Sequence, residues 1–418
     1  MSAAPPLGTF LRANARALAA GMLIAFTSSY GQTFFVSLFA DDVMREYGLS
    51  DGGWGALYAA ATILSAGAMI FAGSLTDRLR VRVLAAWVCA GLAGACLLMA
   101  GAGHWTLLVL AVFALRFTGQ GMMSHLSAVA MARWFTRGRG RALAIAACGF
   151  ALGQAVLPVA FVAAEPTFGW RALWVVAAVL ALLAAVPILA LLRFERTPAE
   201  AAAASEAAGL DGVHWTRAAL LRAPLFWLLV PLLLGPPAFG TALFFHQVHL
   251  AGAKGWALVD YVALLPLFTA TTIAAMLGSG WLIDRFGAVS IVRVYLLPFI
   301  VGFALMAWAT TLPHAALALA VFGLGVGAQG TLVTALWAEL YGTRHLGAIK
   351  ALAAAIMVLG SALGPGLTGA LIDLGWDFPA QMPGIALYML AAQALAALAL
   401  NGVRGRLPRA SEIDVVGA

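Results

Sequence analysis

Arg116 is the one formal charge inside any of the long apolar stretches of this 418-residue chain. It falls 11 residues into the run 105–132, about 16 Å along a helix rising 1.5 Å per residue. At that depth in a bilayer a cation costs at least about 2.5–3.5 kcal/mol, so it must face a wet cavity or a partner. A guanidinium offers a planar fork of donors that matches a carboxylate. Two roles stay open: receptor for a small organic anion, or a fixed pin that bonds the carbonyls of neighbouring helices. On a wheel of 100° per residue, Gln120, Ser124 and Ser127 fall within about 80° of Arg116, a polar stripe suited to a cavity wall.

Other polar residues in apolar surroundings join this candidate set. In the first run Tyr30 shares a side with Phe26, Thr33, Phe34 and Ser37, while Ser28 and Gln32 take the other. The first group reads as an aromatic and hydroxyl wall to a site, or as helix packing. His246 and His249 share a face near the outer end of the seventh run and either change charge near neutral pH or simply sit at the wet interface. Gln329 lies in the middle of the tenth and is a candidate cavity donor, whereas His125 points about 180° away from Arg116 and is expected to face neighbours. No Asp or Glu sits in the core of an apolar run. If protons drive the chemistry, their carriers are the histidines, Asp41, Asp42, Glu339 or the substrate itself.

Two short stretches look like moving parts. "GSLTDRLRVR", Gly73 to Arg82, returns as "GWLIDRFG", Gly280 to Gly287. Gly73 pairs with Gly280, Asp77 with Asp284, Arg78 with Arg285 and Pro158 with Pro365, all at an offset of 207. A repeated half is therefore expected. The charges serve either as plain stop signals at a membrane exit or as a gate. In the second reading the glycine admits a close helix. The carboxylate then rests on a helix start, where amides and macrodipole favour it by about 0.3–1 kcal/mol. Arg82, Arg139 and Arg141 are candidate partners of such a latch.

The elements that must position these residues are membrane helices. Hydrophobic residues make up 63% of the chain and charged ones 10%, against roughly a quarter charged in a soluble globule; the mean hydropathy is +0.97. Twelve windows reach the length of about 20 residues that a spanning helix needs. With a cytoplasmic amino terminus and twelve crossings, 20 of the 24 Lys and Arg lie on the cytoplasmic side, the bias that orients membrane proteins. The net charge of +7 thus reports insertion, and no nucleic-acid partner is expected. The first run is longer than a signal-peptide core and reads as a spanning helix. Residues 194–223 form a polar, Ala-rich connector between an amino-terminal half, 1–193, and a carboxy-terminal half, 224–418. Cys89, Cys96 and Cys148 have neither metal nor disulfide spacing. With no catalytic triad, metal cluster or nucleotide loop in the sequence, no enzyme activity, metal or cofactor is expected.

The first Asp-Arg stretch resembles the loop signature of the major facilitator superfamily, with Arg80 standing where the pattern has a second glycine. The second stretch resembles its weaker copy. "ALRFTGQG", Ala114 to Gly121, is similar to the fourth-helix pattern of that family, and its Arg116 matches the usual arginine. "CGFALGQAVLP" and "VLGSALGPGLTGALID" resemble the Gly- and Pro-rich fifth and eleventh helices. The resemblance implies an all-α membrane protein of two pseudo-symmetric six-helix bundles, with a substrate site between halves near mid-membrane. Within the family, "SSYGQTFFVSLF" and "RWFTRGRGRALAIA" are most similar to bacterial relatives of the monocarboxylate porters. "DGGWG", Asp51 to Gly55, reads like a first-helix signature of those porters but here opens the second helix, with Ser50 or Asp51 as its cap. The resemblance therefore implies a monomeric secondary transporter of the bacterial inner membrane, both termini cytoplasmic. It would carry a small organic anion by alternating access, with protons as a coupling ion; proton-driven efflux of drugs or metabolites is the alternative.

Overall fold

A computed structural model of the chain describes residues 7–73, 75–135, 139–194, 209–342, 344–401 and 403. Of Asp77, Arg78, Arg139 and Asp284 only the backbone is described. Every regular element among these residues is helical. In chain order come α1 (Leu7–Thr27), α2 (Thr33–Val36), α3 (Ala40–Tyr47), α4 (Asp51–Ala72), α5 (Leu75–Arg78) and α6 (Val81–Gly101). Next are α7 (Trp105–Leu115), α8 (Ser124–Trp134), α9 (Arg139–Leu191) and α10 (Arg217–Arg222). Then follow α11 (Pro224–Phe245), α12 (Gln247–Ala253), α13 (Leu258–Val262), α14 (Leu265–Phe286) and α15 (Ala288–Val292). The last are α16 (Leu297–Trp308), α17 (Leu312–Tyr341), α18 (Leu346–Asp373) and α19 (Phe378–Ala399).

Ten described helices are long and apolar enough to cross a bilayer, and the bent pair Gly8–Gly31 and Thr33–Tyr47, at 45°, makes an eleventh. The twelfth crossing is hidden in α9. Its 53 residues would span about 80 Å if straight, far more than the ~30 Å of hydrocarbon. Gly169 breaks it with φ 72° and ψ 154°, backbone that a side chain disfavours. The twelve windows of the sequence are thus accounted for.

Contacts divide the chain into two compact units. The first comprises Met1–Ala202, Phe244–Pro266 and Pro365–Leu374, so the ends of α11 and α18 pack with the amino-terminal helices. Its near end is where α1 begins; its far end carries α3 and the start of α4. Amphipathic α3 stops at Gly48, whose left-handed φ of 63° lets Leu49 N–H reach Met44 O at 2.9 Å. Helix α4 then starts on Ser50, whose Oγ accepts from Gly53 N–H at 3.1 Å, as the sequence suggested. Arg171 ties the far-end turns together, donating to Ala102 O at 2.7 Å and pairing with Glu46, while Tyr47 donates to the same carbonyl at 2.5 Å. Ile70, Phe71 and Trp87 remain 77%, 79% and 74% exposed, a surface that water would not tolerate and lipid would cover.

The second unit comprises Ala203–Leu243, Leu267–Gly364 and Gly375–Ala418. Its core stacks Phe299, Phe303 and Phe322 edge to face at 5.1–5.3 Å. Between α15 and α16 the chain turns, and Gln393 of α19 satisfies the freed groups, accepting from Leu296 N–H at 2.7 Å and donating to Val292 O at 3.0 Å. The connector's described end docks here: Trp215 N–H donates to Tyr341 O at 3.2 Å and Thr216 caps α10. Residues 195–208 of the connector lie outside the described residues.

Candidate functional site

The first crossing is not one helix. After α1 the chain runs through a 3-10 turn, Ser28–Gly31, and Gln32 is extended at φ −83°, ψ 153° before α2 begins. Phe35 N–H, which in an unbroken helix would bond Gly31 O, bonds Gln32 O at 3.1 Å instead. The Gly31 carbonyl is thereby released from the helix ladder. Opposite it, between α7 and α8, Arg116–Met123 forms a π-helical segment, a form that recurs at functional sites. The two irregular stretches touch backbone to backbone. A Cβ on Gly31 would overlap Leu115 O, and one on Gly119 would overlap the backbone of Gly31.

Arg116 sits in this contact, 1% exposed. Its Nη1 donates to Gly31 O at 3.3 Å and to Thr33 Oγ1 at 3.2 Å. The guanidinium lies over the Tyr58 ring at 4.9 Å, and Tyr58 OH shares a 2.5 Å hydrogen bond with Thr33 Oγ1. Nε and Nη2 have no hydrogen-bond partner. Among the described residues no carboxylate pairs with this cation. Half of a buried fork is therefore idle, in a setting where an unpaired charge is costly and a bidentate anion is the matching guest.

The expected polar stripe is only partly present, because π-helical turns hold more than 3.6 residues and rotate the wheel. Ser124 Oγ accepts from Gln32 Nε2 at 3.2 Å, and Gln32 also reaches Ser28 Oγ at 3.4 Å. Ser127, by contrast, bonds Gly21 O at 2.8 Å as a packing contact with α1. Gln120 keeps its buried Oε1 without a partner. Tyr30 is separated from Thr33 by the break at Gln32 and packs edge to face on Phe35 at 5.3 Å and near Phe161 at 6.4 Å, 3% exposed. The α-helical wheel that joined Tyr30 to Thr33 does not apply across a broken helix. A cavity of 390 Å³ at the start of α1, lined by Arg12, Asn14, Arg16 and Trp134, includes none of these residues.

His246 is 3% exposed rather than at a wet boundary, at the joint between α11 and α12. Its Nε2 lies 3.0 Å from Thr368 Oγ1 and 3.1 Å from Pro365 O, and its Nδ1 3.7 Å from Asp51 Oδ1. Phe245 beside it touches Tyr58 at 4.7 Å and stacks on Trp54 at 5.7 Å. Sequence reasoning overlooked Tyr58 and Trp54. The available signal was a phenol in mid-helix, whose hydroxyl must find a partner when buried.

In the second unit Gln329 lines a cavity of 170 Å³ with Thr334, Trp337, Lys350 and Met357. Glu339 accepts from Ala288 and Val289 N–H at 2.7 and 3.3 Å, holding the turn that follows the second Asp-Arg pair. Around the first pair, Arg133 holds Thr76 O from the end of α8. The side chains of Asp77, Arg78, Arg139 and Asp284 lie outside the described residues. Arg82 and Arg141 are exposed, and Arg285 lies over Trp281 and Phe286 at 5.4 and 5.5 Å. Gly280 has nothing within 4 Å of a Cβ position, and Gly73 meets only Met69 O of its own helix and the His125 ring at 3.7 Å.

The sequence matches the profile of the Major Facilitator Superfamily over residues 21–365 and again over 263–414. No curated protein matches it significantly. Among solved structures it is similar to a bacterial homolog of the human lysosomal transporter Spinster, in an inward-facing and unoccupied conformation. That match has a TM-score of 0.70 at 16% identity, covering 95% of this chain and 99% of that one. It is also similar to the nucleoside transporter NupG, with a TM-score of 0.68 at 11% identity over 93% of this chain and 99% of that one.

Proposed function

Because the chain belongs to the major facilitator superfamily, and is thus a transporter of small solutes and not an enzyme, we propose that its cargo is a small organic anion held by Arg116. One observation carries this reading. The guanidinium is buried and positioned by Gly31 O, Thr33 and Tyr58, yet Nε and Nη2 are idle and no described carboxylate neutralises it. A monocarboxylate would complete the fork with two parallel charge-assisted hydrogen bonds. A cationic drug would meet an unneutralised like charge, which disfavours efflux of such compounds. The rest of the scheme follows the charge pattern: both termini and both Asp-Arg turns face the cytoplasm of a bacterial cell. A monomer in the inner membrane then exposes Arg116 to each side in turn, with Asp77 and Asp284 latching the cytoplasmic side when it closes and protons travelling with the anion. Gln329 and Lys350 line a wall of the second unit that the anion passes.

Uptake of radiolabelled organic acids into proteoliposomes, with and without an inward pH gradient, tests the reading. Transport of at least one carboxylate is expected, with Arg116→Ala abolishing it. Arg116→Lys, which keeps the charge and loses the fork, should leave about a tenth of the activity or less, since each 1.4 kcal/mol is tenfold. Failure to move any organic acid, or full activity in Arg116→Ala, rejects the proposal.

A further inference from the structure

The far end of the first unit holds a cluster that anion binding does not use. Asp373, at the end of α18, accepts from Ser50 Oγ at 2.7 Å and from Gly52 N–H at 3.1 Å, so it caps the start of α4 from another crossing. The approach is so close that a Cβ on Gly52 would overlap the Asp373 carboxylate, and one on Gly369 would overlap Asp51 O. Beside this cap, Gln247 donates to Phe34 O at 2.8 Å and Ser37 Oγ at 2.9 Å, and Ser37 donates to Phe244 O at 2.6 Å. These bonds close the ends of α11 and α18 onto the first two crossings.

His246 lies inside that closure, and its partners dictate its protonation. Nε2 faces Pro365 O at 3.1 Å, a group that only accepts, so a proton on Nε2 suits this side. Thr368 Oγ1, 3.0 Å from the same nitrogen, is itself 3.3 Å from Pro365 O as a donor, leaving its lone pairs toward the ring. Nδ1 faces the Asp51 carboxylate oxygen at 3.7 Å. A neutral ring satisfies one side and turns a lone pair on the oxygen of the other. The imidazolium suits both. Other charged groups of the same end are His249 of α12, with Nδ1 also 3.7 Å from Asp51 Oδ1, and Asp41, Asp42 and Arg45 of α3. Glu165 of α9 faces Asp42 and Arg45, and Asp373 of α18 is engaged by the hydroxyl and amide named above.

We infer that His246 is a proton-binding site that locks this end of the protein shut, with Asp51 as the counter-charge. Protonation joins α4, through Asp51, to α18, through Pro365, by way of one ring. Loss of the proton leaves a lone pair against an oxygen and loosens the closure. The lock stands next to the anion site: Phe245 spans from His246, 5.0 Å away, to Tyr58, at 4.7 Å, which lies under Arg116. Histidine is the side chain that exchanges its proton between pH 5 and 8. Protonation of His246 therefore raises the closed population.

The test reads the closure itself without substrate, so it stands apart from the anion reading. Spin labels at Thr167→Cys and Ala253→Cys, both exposed, are measured by double electron–electron resonance in lipid nanodiscs, in a background carrying Cys148→Ser. At pH 5.5 one short distance is expected; at pH 8.5 a longer population should appear, at least threefold greater than at pH 5.5. His246→Gln and Asp51→Asn should each abolish this pH response, while His249→Gln should retain it. Distances that do not change with pH overturn the inference. So does a response that survives both His246→Gln and Asp51→Asn, or one that His249→Gln alone removes.

Discussion

At the scale of residues, two side chains of unequal weight join Gly31 O in holding Arg116. Thr33 Oγ1 accepts directly from Nη1, whereas Tyr58 supplies a ring face and steadies Thr33 through its hydroxyl. A hydrogen bond to a charged group contributes about 1.5–3 kcal/mol, and neutral ones within membranes average about 0.6 kcal/mol. If the cargo is the proposed anion, Thr33→Val should therefore raise its KM about tenfold or more. Tyr58→Phe, which keeps the ring, should raise it about threefold. Initial uptake rates over a range of substrate concentrations provide the check, and an unchanged KM in Thr33→Val would remove Thr33 from the site. The sequence pointed to Arg116, Gln32, Thr33 and Ser124 by their polarity in apolar runs. It left Tyr30 open between a site wall and helix packing and set Ser127 on the polar stripe, because a wheel of 3.6 residues per turn presumes regular helices. One of these lies beside a helix break and the other beyond a π-helical segment.

At the scale of elements, the site depends on the irregular backbone of two crossings pressed together. Gly31 and Gly119 permit that contact, since a Cβ on either would meet backbone atoms of the other element. Overpacking of this kind costs about 1–3 kcal/mol. Gly31→Ala and Gly119→Ala should each lower the thermal unfolding midpoint in detergent and weaken anion uptake. Gly280→Ala, which meets nothing within 4 Å among the described residues, should leave the midpoint unchanged. Equal midpoints for all three variants would count against the contact. Lengths and hydropathy located the crossings, but neither reveals where a helix is interrupted inside one. That outcome turns on hydrogen bonds redirected by neighbours, as when Phe35 N–H chooses Gln32 O over Gly31 O.

At the scale of the whole molecule, the repeated Asp-Arg turns demand that both lie on one side of the membrane. Leu79 and Phe286 flank them and are 41% and 51% exposed. An impermeant maleimide should label Leu79→Cys and Phe286→Cys from the cytoplasmic side alone, in inside-out vesicles and not in intact cells. Labelling from opposite sides would break the twelve-crossing topology and the doubled gate with it. The far end of the first unit is tied by Asp373, Gln247 and His246.

The sequence alone determined that this protein lives in a membrane, how many times it crosses and that Arg116 is the charge inside its apolar runs. Each of these follows from transfer free energy and local charge, which add up residue by residue along the chain. The tertiary structure decided which donors of Arg116 are spent and which are idle, that Tyr58 lies beneath it, and that DGGWG is a docking surface for the end of α18. It also placed His246 between a carboxylate and a carbonyl. Those facts depend on residues from tens to hundreds of positions apart coming into contact, and on helices breaking where a neighbour offers a better partner. Neither is written in the spacing of a single strand of text.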